Sequence, residues 1–141
     1  MPAINTHLAP IVLFVYNRPE HTRKTLEALA SNELAKQSRL YIYADAPKAN
    51  ASSDDIEANE TVKKLITEFQ WPGSKETIKR TENFGLARNI VEGVTEIIDQ
   101  FGKIIVLEDD LVTSRGFLLF MNNCLNKLED EKKVAGVSGY C

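Results

Sequence analysis

Apolar and polar positions along this chain alternate between a strand-like and a helix-like period. Pro10 to Tyr16 is a continuous apolar run, which predicts a first strand of the kind buried in a parallel sheet. Asn17-Arg18 leads to Pro19, a residue suited to the first turn of a helix. Thr22, Leu26, Leu29 and Ala30 then recur at the spacing of one helix face. Arg39 to Ala44 predicts a second strand, closing on Asp45-Ala46-Pro47, and the small polar stretch from Lys48 to Ser53 reads as a loop. Ser53 is placed to cap a second helix, with Asp54, Asp55 and Glu57 in its first turn. Its stripe is Val62, Leu65, Ile66 and Phe69, and Trp71-Pro72-Gly73 stops it.

The same alternation continues to the end. Lys75 to Glu82 is weakly apolar and predicts an edge strand. Asn83-Phe84-Gly85 turns into a third helix lined by Leu86, Ile90, Val94, Ile97, Ile98 and Phe101, and Gly102 ends it. Lys103 to Leu107 predicts the next strand. A fourth helix carries Phe117, Met121, Cys124, Leu125 and Leu128, and Val134 to Tyr140 has the pattern of another strand. Strands separated by helices need crossover connections. The expected fold class is therefore α/β, a doubly wound and mainly parallel sheet with flanking helices. One domain spans 1–141, and its ending on a strand-like segment suggests a fragment of something longer.

Composition narrows the function classes. The chain has 141 residues, 43% apolar and 26% charged, with a net charge of -3. That charge argues against a nucleic-acid partner recognised through phosphate attraction. No apolar run approaches the roughly 20 residues of a membrane helix, so no transmembrane segment is expected. The N-terminus lacks a signal-peptide pattern, and Cys124 and Cys141 have no metal-ligand spacing. A cytoplasmic location follows, peripheral to the membrane in a full-length protein. No phosphate-loop or GxGxxG signature is present, which weighs against nucleotide hydrolysis and dinucleotide oxidoreduction.

Glu108-Asp109-Asp110 is the candidate chemical centre. Three acids follow Ile104-Ile105-Val106-Leu107 directly, at a strand's carboxyl end, where open α/β sheets place their ligand crevice. Carboxylates inside a buried layer need compensation, whereas at the edge they suit a hard cation. Strand alternation puts Glu108 and Asp110 on one face and Asp109 on the other, so the three are not equivalent ligands. The competing reading is a solvated acidic turn before the fourth helix. Arg88, in the first turn of the third helix, can meet phosphate oxygens or brace the acids. Its alternative is a surface pair with Glu92. Asp45 stands where the second strand ends, either as a turn residue or as an acceptor for a pyrimidine base, with Tyr16 as an apolar wall. His7, His21, Ser114 and Ser138 have no partners that would make a catalytic set.

In order and spacing these pieces resemble GT-A glycosyltransferases of the family-2-like kind. Pro10 to Pro19 is similar to their opening strand. Asn83-Phe84-Gly85-Leu86-Ala87-Arg88-Asn89 resembles a shortened form of their N-x-G-x-x-x-A-R-N-like turn. Leu107-Glu108-Asp109-Asp110-Leu111 looks like their DXD signature, in the E-D-D form of the N-acetylglucosaminyltransferase I type. The similarity spans nearly the whole chain. It implies a Rossmann-like nucleotide-binding half that takes a nucleotide-sugar donor, usually a UDP-sugar, with Mn2+ or Mg2+ on the diphosphate. The acceptor would be a carbohydrate or glycolipid hydroxyl. By position, Asp110 would hold the metal, and Asp109 and Glu108 would face the ribose and donor sugar. Asp45 would read the base, Tyr16, Asn17 and Arg18 would border the nucleoside, and Arg88 would lie near the diphosphate. The general base of this family follows the region seen here, so no catalytic residue is nominated. A nucleotidyltransferase would need a Gly-rich, lysine-containing loop where Asn17-Arg18-Pro19-Glu20 stands. A non-catalytic nucleotide-binding or receiver-like regulatory domain, with Asp45 or Asp109 as phosphoacceptor, is the alternative of a different class.

Overall fold

A computed structural model describes residues 8–131 together with Gly136 and Ser138. The elements run β1 (Ile11–Val15), α1 (Pro19–Ala30), β2 (Arg39–Ala44), α2 (Ser53–Glu68), β3 (Ser74–Lys79), α3 (Leu86–Phe101), β4 (Ile105–Glu108) and α4 (Phe117–Leu128). A short 3-10 turn at Ala35–Gln37 precedes β2. The four strands form one parallel sheet in the order β3-β2-β1-β4. This is the doubly wound α/β architecture expected. The strand-like pattern at Val134 to Tyr140 lies outside the described residues.

The order of the strands explains the two layers of helices. Steps from β1 to β2 and from β2 to β3 run one way, and the step from β3 to β4 runs back past both. Right-handed crossovers then place α1 and α2 on one face and α3 on the other. The core divides accordingly. Ile11, Leu13, Val15, Leu40, Ile42, Ala44, Ile105 and Leu107 pack with Leu26 and Leu29 of α1, Val62 and Ile66 of α2, and Leu118 and Met121 of α4. On the other face Val12, Phe14 and Tyr43 meet Ile97, with Ile90, Val94 and Phe101 of α3 against them.

Local chemistry fixes most boundaries. Pro19 opens α1, as its fixed φ predicts. The cap of α2 is Ser52, one residue before the expected Ser53, and its side chain accepts from the Asp55 N–H at 3.1 Å. At the far end of α2 the Lys75 ammonium donates to the carbonyl oxygens of Ile66, Thr67 and Phe69 at 2.6, 3.1 and 2.8 Å. Burial, and secondarily the neighbouring Lys79, pull the Lys75 pKa down. β3 is an edge strand as expected, but it ends at Lys79 rather than Glu82.

Three burial expectations are corrected. Leu86 and Ile98 of α3 are 66% and 39% exposed, because the helix meets the sheet through a narrower strip centred on Asn89, Gly93 and Ile97. In α4 the buried side chains are Leu118, Met121 and Asn122, while Cys124 is half-buried. β4 is not buried on both faces: Ile105 and Leu107 are covered, whereas Val106 is 41% exposed. Among the described residues β4 pairs with β1 alone.

Candidate functional site at the strand-order reversal

β1 and β4 are neighbours at the point where the strand order reverses, and open α/β sheets place their ligand crevice at the carboxyl ends of such strands. Tyr16-Asn17-Arg18 leaves β1 there, and Glu108-Asp109-Asp110 leaves β4. The parallel register sets Phe14 beside Glu108. Phe14 belongs to the α3 face, and therefore so does Glu108. The strand ends at Glu108 and a turn follows; through the acids Glu108 is exposed, Asp109 buried and Asp110 exposed.

Asp109 is committed to the fold. Its carboxylate is paired with the Arg18 guanidinium, and its carbonyl oxygen accepts from Thr25 Oγ at 3.0 Å. Burial pushes the Asp109 carboxyl above the ordinary carboxylate range, against the opposing pull of Arg18. The segment after the acids is tied to α1 as well. Asn32 donates to Thr113 Oγ1 at 3.1 Å, and its side-chain oxygen accepts the Leu118 N–H at 2.9 Å, closing the start of α4. Glu108 and Asp110, by contrast, make no hydrogen bond or ion pair among the described residues.

Asp45 is likewise enclosed. It is 5% exposed, and its carboxylate accepts four donors. Oδ1 takes the N–H groups of Ala46 and Phe84 at 2.9 and 2.8 Å. Oδ2 takes the Gly85 N–H at 3.0 Å and the Asn83 side-chain amide at 3.3 Å. These bonds hold the Asn83–Gly85 turn over the end of β2. The surroundings of Asp45 thus supply a loop anchor, and its oxygens are filled by the chain itself rather than turned toward a base. Gly85 sits at φ 80°, ψ 160°, a region that is almost closed to other residues.

The remaining nominees are spread around this edge. Tyr16 Oη accepts the Lys48 N–H at 3.3 Å, and Asn17 donates to Asp55 at 3.3 Å, so they tie the β2–α2 loop and the first turn of α2 to the end of β1. Arg88 stacks on Phe84 with its guanidinium carbon 3.7 Å from the ring centre. It pairs with Glu92 at 3.2 Å and Glu82 at 3.8 Å, so the surface-pair alternative describes its contacts here.

Three further residues support the site, and two of them, Asn59 and Arg80, carry no mark in the sequence analysis. Asn59 is fully buried, and its amide donates to the carbonyl oxygens of Tyr16 and Asp45, both at 2.9 Å, clamping the ends of β1 and β2 together. Its signal was available, since it continues the apolar stripe of Val62 and Ile66 as a polar residue. Asn83 adds a 2.7 Å bond to the Ala46 carbonyl. Arg80 lies under the same turn, and nothing in its neighbours along the chain marks it.

Among the described residues no three His, Cys, Asp or Glu side chains gather in a way that could hold a metal ion. Burial of Asp109 leaves two exposed acids, not three, at the tip of β4. No described helix is long and apolar enough to cross a membrane. Compared with models of known protein families and with curated proteins, the chain matches none.

Proposed function

We propose that this chain is the donor-binding part of a metal-dependent glycosyltransferase. It would take a nucleoside-diphosphate sugar, UDP-linked first of all, for transfer to a hydroxyl of a carbohydrate or glycolipid. The observation that carries this reading is the pair Glu108 and Asp110. Both are exposed, and their side chains make no hydrogen bond or ion pair among the described residues, at the tip of β4 beside the reversal of strand order. The resemblance of the turn at Asn83–Asn89 and of the E-D-D triplet to GT-A enzymes supports it.

Two carboxylates fit the cation that such a donor carries. Mg2+ and similar hard ions are held by one or two carboxylates together with phosphate oxygens and water. Asp110 is the residue chosen to hold the ion, with Glu108 beside it. Bound there, Mn2+ or Mg2+ would neutralise the charge developing on the departing nucleoside diphosphate. The other residues act on position. Arg18 and Asp109 fix the β4 tip to β1, Asp45 fixes the Asn83–Gly85 turn, and Tyr16 and Asn17 shape the loop that borders the nucleoside. Arg88 stands on the rim, with a guanidinium able to meet phosphate. The receiver-like alternative gains no support, because the oxygens of Asp45 and Asp109 are engaged.

Calorimetry with UDP, with and without Mn2+, tests the reading. Binding is expected to tighten with Mn2+, and Asp110→Asn is expected to weaken the metal-dependent part by about tenfold or more without unfolding the domain. A folded wild type that binds no nucleotide in either condition sinks the proposal. Equal binding by Asp110→Asn moves the metal role to another residue.

A further inference from the structure

Arg80 leaves the end of β3 with its backbone N–H on the Ala44 carbonyl at 2.9 Å. Its side chain is 11% exposed. The guanidinium lies 4.9 Å from the Tyr43 ring centre and 4.5 Å from that of Phe84. Nε donates to Asn89 Oδ1 at 3.0 Å, and Nη1 stands 3.8 Å from Glu96, whose other oxygen accepts the Tyr43 hydroxyl at 2.6 Å. Nη2 is buried without a hydrogen-bond partner.

A buried guanidinium with one long ion pair and one unanswered donor contributes little to stability. Its contacts do, however, link separate elements of the fold. Tyr43 belongs to the sheet, whereas Phe84 and Asn89 belong to the turn and to the start of α3. Asp45 holds the same turn from its backbone side. We infer that Arg80 is a positioning residue of the donor site. It packs against Phe84 and Asn89 and so sets the turn and the start of α3, on the sheet face to which Glu108 belongs. The inference rests on the nucleotide-sugar reading.

The test compares wild type, Arg80→Met and Arg80→Lys, well below their unfolding midpoints and with folding checked by circular dichroism. Lysine keeps the charge but not the planar, stackable fork, and it serves if the methionine variant does not fold. Both variants are expected to exchange the Phe84 and Gly85 amides faster and to bind UDP with Mn2+ about tenfold more weakly, the size lost when an outer support of a ligand site is removed. Wild-type nucleotide binding with unchanged affinity and unchanged exchange in the folded variants overturns the role of Arg80 and leaves the donor reading intact. A wild type that binds no nucleotide overturns both, whatever the exchange rates show. A merely structural arginine would shift the unfolding midpoint and leave the affinity of the folded protein unchanged.

Discussion

Replacing Asp45 by asparagine isolates the role of the loop anchor. The substitution keeps the shape of the side chain and turns one acceptor oxygen into a donating NH2. In either amide orientation two of the four donors now face a donor: Ala46 and Phe84 N–H in one case, Gly85 N–H and the Asn83 amide in the other. Hydrogen bonds to a charged group contribute about 1.5–3 kcal/mol each. Two such losses at a site only 5% exposed are partly offset, because a buried carboxylate no longer has to be kept ionised. The expected net loss is about 3 kcal/mol. That is a large share of the roughly 5–15 kcal/mol available to a domain, and it corresponds to a fall in Tm of roughly 10 °C.

Urea unfolding followed by the fluorescence of Trp71 measures this directly. Trp71 is the single tryptophan and is 9% exposed, so its emission reports the global transition. The midpoint should fall while the slope stays constant, and the Phe84 and Gly85 amides should lose protection against exchange more than those of β1. A variant within about 0.5 kcal/mol of wild type, with both amides equally protected, refutes the anchor. A base-reading Asp45 gives the opposite signature, with intact stability and lost nucleotide affinity.

Other perturbations separate backbone, packing and charge. Gly85→Ala should cost about 1–3 kcal/mol by thermal unfolding, purely from the backbone, since an added Cβ has nothing within 4 Å. Gly93→Ala should destabilise by about 1–2 kcal/mol despite its better helix propensity, because the new Cβ would lie 2.8 Å from Phe14 Cε1; Phe14→Leu in the same chain should restore part of the loss. For Asp109 the sign follows from its raised pKa. The folded state holds the proton more tightly, so this contribution is full below the ordinary value of 3.8 and is lost as pH rises through the folded value. Asp109→Asn should therefore gain stability relative to wild type as pH climbs above 3.8, then hold a constant difference; a flat or falling difference curve contradicts it.

How far the sequence reveals the fold depends on which interaction sets each feature. β2 has the bounds that its apolar run predicts, and α3 runs between the two glycines that mark its ends. Both are local signals. The exposure of Val106 was not legible, because an apolar run does not reveal whether a strand or helix lies beside it. Leu86 and Ile98 extend the apolar stripe of α3 beyond the width that the sheet contacts. At the site one acid is buried and two are exposed, in the order that alternation predicts, although Asp109 and Asp110 stand in a turn past the end of β4. The reason Asp109 tolerates burial was hidden, since its partner Arg18 lies 91 residues away. Asp45 shows the same limit: its turn character was visible, but the amides that fill its carboxylate come from 39 and 40 residues further along. The Arg88–Glu92 pair, by contrast, follows from helical spacing alone.

The division of the acids has a consequence for how the site is built. A strand tip carrying three carboxylates would repel itself, and burying any of them unpaired would be costly. Arg18 compensates Asp109 on the α1 side, and that pair binds β4 to β1 next to the strand-order reversal. Glu108 lies on the α3 side, where the turn held by Asp45 begins the helix, and Asp110 is exposed in the turn that follows β4. The acid engaged by the fold is thus separate from the two that stay exposed. On the proposed reading, charge removal at Asp109 is expected to act first on folding and its pH dependence, and charge removal at Asp110 on ligand affinity with folding unchanged. A site in which both substitutions moved stability alike would be an acidic turn and nothing more.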